Sequence, residues 1–342
     1  MNGLRNLIPV VIQSLIIFGQ RSDLEQLLEE ETITHFVVEA LENLSLTTLY
    51  DSFKEVFFRF LPNLVLDVGL NLIKTTELER LQMVEDPAEF VGLALDTCDK
   101  QQSYVIKTQA AKLFEGLCDN IDGAVTVTSY FCIQAINMTL SRESPKAMVE
   151  LDNFAANIDD AHRNLIENCS FIKNSKPDVI VESGIVVLAL LSYVHSKQAY
   201  TTIFLSIEKV FTHFIDEIIN NESKLIRVRY SLFLGYLIDV LFKKEPNAFR
   251  DTILFLYTTV DLVGDDKAIA CQSIDTLKTV VCDNDLQPRV IELNLIPVLV
   301  EKIQGSIATI QNHEYMDFVN DFLASYAQLV DDKAICLANA VV

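Results

Sequence analysis

The sequence predicts an all-α protein, a solenoid built from antiparallel helix pairs, and three observations predict it. Amphipathic helical stretches follow one another along all 342 residues, broken only by short polar turns. A pair of such stretches takes about 40 residues, the period of stacked two-helix repeats. Gly is scarce at 10 and Pro at 8, whereas a β-sandwich or barrel needs turn residues every ten or so positions.

The elements are read in chain order. A first helix, 3–19, carries Leu4, Leu7, Ile8, Val11, Ile12, Leu15 and Ile16 at helical spacing. Two more are expected near 31–44 and 46–60. FLPNLVLDVGLNLIKTT (60–76) then places Pro62 in the first turn of another helix, where a missing N–H costs nothing. DPAEF (86–90) is a start of the same kind, with Asp86 as N-cap, Pro87 at the first helical position and Glu89 three residues after the cap.

The clearest pair comes next. A helix over 104–121 puts Val105, Ala110, Ala111, Phe114, Leu117, Cys118 and Ile121 on one wide face. Its small alanines allow a neighbour to approach closely. Asp122-Gly123 breaks the chain, and 124–140 returns. A loop is expected at 141–150 and a less regular helix to 171. NSKPD (174–178) opens a strong helix through Val194, and 198–219 and 224–243 flank a turn at 220–223. Pro246 starts a helix to Leu262, a turn at 264–266 leads into 267–281, and helices after Pro288 and over 313–330 follow. The last segment begins a helix and stops.

Two short echoes support repetition: NLIPVV (6–11) with NLIPVL (294–299), and DDKAIAC (265–271) with DDKAIC (331–336). The period and the echoes point to HEAT or armadillo-type repeats, and about seven to eight fit one continuous solenoid over 1–342. A free solenoid end carries a polar capping face. Both ends here are apolar, so the chain is expected to be a segment of a longer solenoid or to have its ends covered by partner surfaces. Arg229, Lys107 and Lys267, early in their helices, resemble the basic residue of a HEAT second helix that reaches a carboxylate in the adjacent repeat.

Composition narrows the function. Apolar residues make up 50% of the chain, enough for a large core, and the formal net charge is −21. Nucleic acid is excluded as a partner, because phosphate binding needs clustered Lys and Arg. The strongest apolar run, 184–194, is about half a membrane span, so no membrane insertion is expected. The seven Cys form no CxxC pair, as in a reduced cytosolic or nuclear protein.

No motif calls for chemistry. The five His make no HxxxH or HExxH pattern, and neither GxGxxG nor a P-loop occurs. DNDLQP (283–288) lacks the spaced ligands and closing Glu of a calcium loop. The expectation is therefore no enzyme, no metal and no cofactor. The acidic residues are the better lead. Glu115, Asp119, Asp239, Asp275 and Asp283 recur on or just after second helices, which line the inner face of a curved solenoid. Carboxylates in that position form a track for basic protein segments, with salt-sensitive affinity and fast association.

The run 85–140 resembles the middle of the importin-β (karyopherin-β) nuclear transport receptors. In the importin-α re-export receptor and the larger importins, a DP-E-[FY]-[IV] helix start precedes a repeat with an A-A pair, a Leu and a closing G-L-C, and then a G-x-V turn. The matching residues are Asp86, Pro87, Glu89, Phe90 and Val91, then Ala110, Ala111, Gly116, Leu117, Cys118, Gly123 and Val125. Phe114 stands where Leu is usual. The resemblance implies a HEAT superhelix that carries protein cargo between cytoplasm and nucleus under control of the small GTPase Ran. It also implies contact with the Phe-Gly repeats of nucleoporins. The family's Ran-contacting repeats are not recognisable here, so no residue is assigned to Ran or nucleoporins. A HEAT scaffold subunit of a multiprotein complex is the alternative class.

Overall fold

The computed structural model describes residues 2–21, 23–92, 102–140, 169–195, 218, 221–260, 266–282, 320 and 324. All its elements are helices, and no strand occurs among the described residues. In chain order they are α1 (Asn2–Gly19), α2 (Leu24–Leu28), α3 (Glu31–Thr47), α4 (Asp51–Asn63), a π-helical segment (Leu64–Gly69) and α5 (Leu70–Ile73). Next come α6 (Glu77–Glu85), α7 (Pro87–Gly92), α8 (Gln102–Asn120), α9 (Ala124–Leu140), α10 (Ser170–Asn174) and α11 (Pro177–His195). The last three are α12 (Lys224–Lys244), α13 (Pro246–Thr259) and α14 (Lys267–Cys282). The expected elements over 141–168, 198–217 and beyond 283 lie outside the described residues.

The local signals act as expected around α7, α8 and α9. The Asp86 carboxylate accepts from the Glu89 N–H at 3.1 Å, which satisfies an otherwise orphaned donor in the first turn. Gly123 takes φ 80°, the left-handed conformation that an L side chain resists, and so reverses the chain between α8 and α9.

Pro62 departs from expectation. It does not open a helix; α4, the π-helical segment and α5 form one helical run over 51–73, with Pro62 inside it. The preceding break falls instead at Leu49-Tyr50, where Tyr50 is extended at φ −99°, ψ 118°. Proline removes one rung of the helical ladder, and the wider i→i+5 winding begins two residues later. Burial holds the run together, since Leu61 and every residue from Leu64 to Ile73 are buried. By length and composition this 23-residue stretch could cross a bilayer, yet 72% of its apolar 18-residue window lies inside the protein. Helices α2 and α6, with five and nine residues, were not expected; so few turns do not establish a period.

The chain divides into two compact units, one of residues 1–77 and 95–226, the other of 78–94 and 227–342. In the first, α3 packs on α8, and α1, α8 and α9 all pack on the 51–73 run. The expected lengthwise pairing of α8 with α9 is not the main contact. Each packs chiefly against a different helix, α8 on α3 and α9 on α11. Phe57, Leu61, Leu64 and Val65 are fully buried at the centre, with Ile12 of α1, Leu117 of α8, Phe131 of α9 and Ile185 of α11. Each such side chain contributes about 1.5–3 kcal/mol by leaving water.

In the second unit α7 and α13 pack on α14. The Arg229 guanidinium lies 4.5 Å over the buried Phe90 ring, where a desolvated cation–π contact is favourable. Arg227 reaches Asp266 at 3.1 Å. Gly235 lets α12 approach α14, since a Cβ there would stand 3.0 Å from the Thr276 side chain.

Candidate protein-binding surface

The first unit exposes a surface along the seam between α3 and α8. The seam is set by small and hydroxylated residues. A Cβ on Gly116 would lie 2.8 Å from Thr48 Oγ1 and 3.3 Å from Ser45 Oγ, so only glycine permits this approach. Ser45 Oγ donates to the Lys112 carbonyl at 3.1 Å, and Asn120 Nδ2 donates to Thr48 Oγ1 at 3.3 Å. Ser45 meets the Lys112–Gly116 turn and Thr48 meets Gly116–Asn120, so the two helices run in the same direction.

Helical register then fixes what flanks the seam. On α8, Gly116 faces α3 and Leu113, Leu117 and Cys118 are buried, which leaves Glu115 and Asp119 together on the exposed flank. On α3, Val37, Leu41 and Leu44 face the core and Ser45 and Thr48 face α8. The solvent flank on the α8 side is therefore Glu42 and Leu46, continued by Leu49 in the turn after α3. All three are exposed, and the two leucines are open to 56% and 63%. Lys112 is an exposed cation at the start of this flank, and Asp122 is an exposed acid at its end, with Lys54 near it.

The five acidic residues expected to form one track are distributed as follows. Glu115 and Asp119 share the α8 flank in the first unit. Asp239 and Asp275 belong to the second unit, on α12 and α14, and Asp275 is half-buried. Asp283 lies outside the described residues. Glu42, Leu46 and Leu49 were not expected at a site.

Two further acids, also unexpected, are buried in the first unit. Asp67, in the π-helical segment, accepts from Gln20 Nε2 at 3.1 Å and from Asn63 Nδ2 at 3.4 Å. The Cys169 thiol donates to its other oxygen at 3.6 Å. Glu182 of α11 accepts from the Thr75 N–H at 3.2 Å and from the Thr75 hydroxyl at 2.6 Å. Each acid interrupts an apolar run, LVLDVGL (64–70) and VIVESGIVV (179–187), and that interruption is the signal by which sequence could find them. Their role in the structure is to join helices.

Among the described residues, Cys118, Cys132, Cys169 and Cys271 sit in the core. Burial pushes the Cys118, Cys169 and Cys271 thiols up to about 12 and raises Cys132 as well. Thiols so raised supply no thiolate near neutral pH. Among the described residues, no group of three or more His, Cys, Asp or Glu is placed to hold a metal ion. No protein-family model, curated protein or solved structure matches the chain.

Proposed function

We propose that this chain is a non-enzymatic helical scaffold that binds basic segments of other proteins, part of a HEAT-repeat nuclear transport receptor of the importin-β kind. The observation that carries the binding reading is the α8 flank, where Glu115 and Asp119 stand one turn apart and exposed beside the α3 seam. An acidic surface on a chain of net charge −21 attracts Lys- and Arg-rich segments and speeds their association. The side-by-side, parallel packing of α3 and α8 supports the repeat reading, because stacked helix pairs set like helices side by side. The transport reading rests on the resemblance over 85–140. The Asp86 cap, the Pro87 start and the Gly123 turn give that stretch the helix boundaries such a repeat requires. On this reading the protein works in cytoplasm and nucleus, with Ran and Phe-Gly nucleoporins as further partners.

The test reverses charge at solvent-exposed positions. In Glu115→Lys/Asp119→Lys, two attractions become two repulsions. At about 0.2–1 kcal/mol per exposed pair, affinity for a basic segment falls about tenfold at low salt. Pull-down of a purified Lys/Arg-rich cargo segment checks this, with circular dichroism showing an unchanged fold. Equal capture by the reversed protein contradicts the reading.

A further inference from the structure

We infer that the α3–α8 seam recognises a basic amphipathic helix, reading its apolar stripe with Leu46 and Leu49 and its flanking cations with Glu42, Glu115 and Asp119. The inference rests on the proposed binding of basic segments and names the form such a segment takes. Leu46, in the last turn of α3, and Leu49, in the turn that follows the helix, are more than half exposed, off the face that α3 buries. Leaving two adjacent leucines in water is unfavourable unless a partner covers them.

Charge identifies that partner. Glu42 stands one turn before Leu46 on α3, and Glu115 and Asp119 line the opposite bank, with Asp122 beyond them. Lys112 is an exposed cation at one end, and Lys54 lies near Asp122 at the other. A neutral apolar partner would partly desolvate these carboxylates and offer no cation in return, which costs affinity. A partner with Lys or Arg beside its apolar residues matches both halves of the surface.

Geometry favours a helix as the form of that partner. Two parallel helices with a seam closed by Gly116 leave a shallow valley along their length. A third helix laid in the valley repeats its side chains every 3–4 residues, about 5.4 Å per turn. That repeat matches the one-turn spacing of Glu115 to Asp119, and Leu49 follows Leu46 by three residues across the end of α3. Apolar anchors at i, i+3 and i+7 then meet the leucines while cations on the edges meet the acids.

The experiment compares three labelled peptides by fluorescence anisotropy against the full chain. One is a helical peptide with a leucine stripe edged by lysines, one has the same charge with the stripe changed to serine, and one has the stripe with neutral edges. The expected order is the first peptide tightest, at least about tenfold over either control. Leu46→Ser/Leu49→Ser then brings the first peptide down to the level of the serine control. Glu42→Gln/Glu115→Gln/Asp119→Gln weakens both lysine peptides. If the leucine and serine peptides bind alike, the amphipathic inference falls and the basic-segment reading stands. If the neutral leucine peptide binds as well as the first, the charge half of the inference is wrong. If no peptide binds, both readings fall. Concentration-dependent self-association lost in Leu46→Ser/Leu49→Ser would assign the surface to a second copy of the chain and overturn the inference.

Discussion

Gly19→Ala is expected to destabilise the first unit by about 3 kcal/mol or more, although alanine is the better helix former. A Cβ at this position would fall against the carbonyl oxygen of Asp67, and that oxygen is backbone in a fully buried turn. Neither side can yield by rotating a side chain. The end of α1 is also tied to the central run by the Asn71 amide, which donates to the Gly19 carbonyl at 2.8 Å. Gln20 adds a second tie by donating to Asp67 at 3.1 Å. Overpacking costs about 1–3 kcal/mol, and each disrupted buried hydrogen bond adds about 1. Helix propensity works in the opposite direction, at about 1 kcal/mol in favour of alanine. The sign of the change therefore separates packing from propensity. Gly92 is the control, because a Cβ there meets nothing within 4 Å. Urea midpoints check the pair: Gly19→Ala moves strongly down, and Gly92→Ala stays level or rises.

Glu182→Leu is expected to cost about 3 kcal/mol, and Glu182→Gln about half as much. The carboxylate is wholly buried and accepts both the N–H and the hydroxyl of Thr75, itself buried where the central run leaves α5. Lys74, just before it, turns the chain to φ −52°, ψ 149°, so Glu182 fixes the direction in which the backbone departs. Leucine fills the space but leaves two donors without an acceptor, at about 1.5–3 kcal/mol for each bond to a charged group. Glutamine keeps one acceptor oxygen. Urea unfolding gives the order of the three proteins. Hydrogen exchange at the Thr75 amide gives the location, since it quickens in Glu182→Leu well before global unfolding.

Helix existence was legible in this sequence wherever a signal acts locally. Asp86-Pro87 starts α7, and Gly123 ends the α8 turn, because a cap and a positive φ depend on one or two residues. Pro62 was misread because its local preference for a helix start is outweighed by burial of the whole 51–73 run. The choice of packing partner was not legible either. Amphipathicity shows that α8 has an apolar face, but not that Gly116 seats it on Ser45 and Thr48 of α3. At the candidate site, Glu115 and Asp119 could be read as one exposed row from their i, i+4 spacing. Leu46 and Leu49 could not, since leucines in an apolar helix are assigned to the core until a register is known.

The central claim is that this helical chain binds basic protein segments through an acidic surface. Titrating a labelled Lys/Arg-rich peptide into the purified protein at two salt concentrations tests it most directly. The account predicts binding near 50 mM salt that weakens at least about tenfold near 300 mM, as the screening length shrinks below the spacing of the charges. No binding at the lower salt, or an affinity that salt does not change, would contradict it.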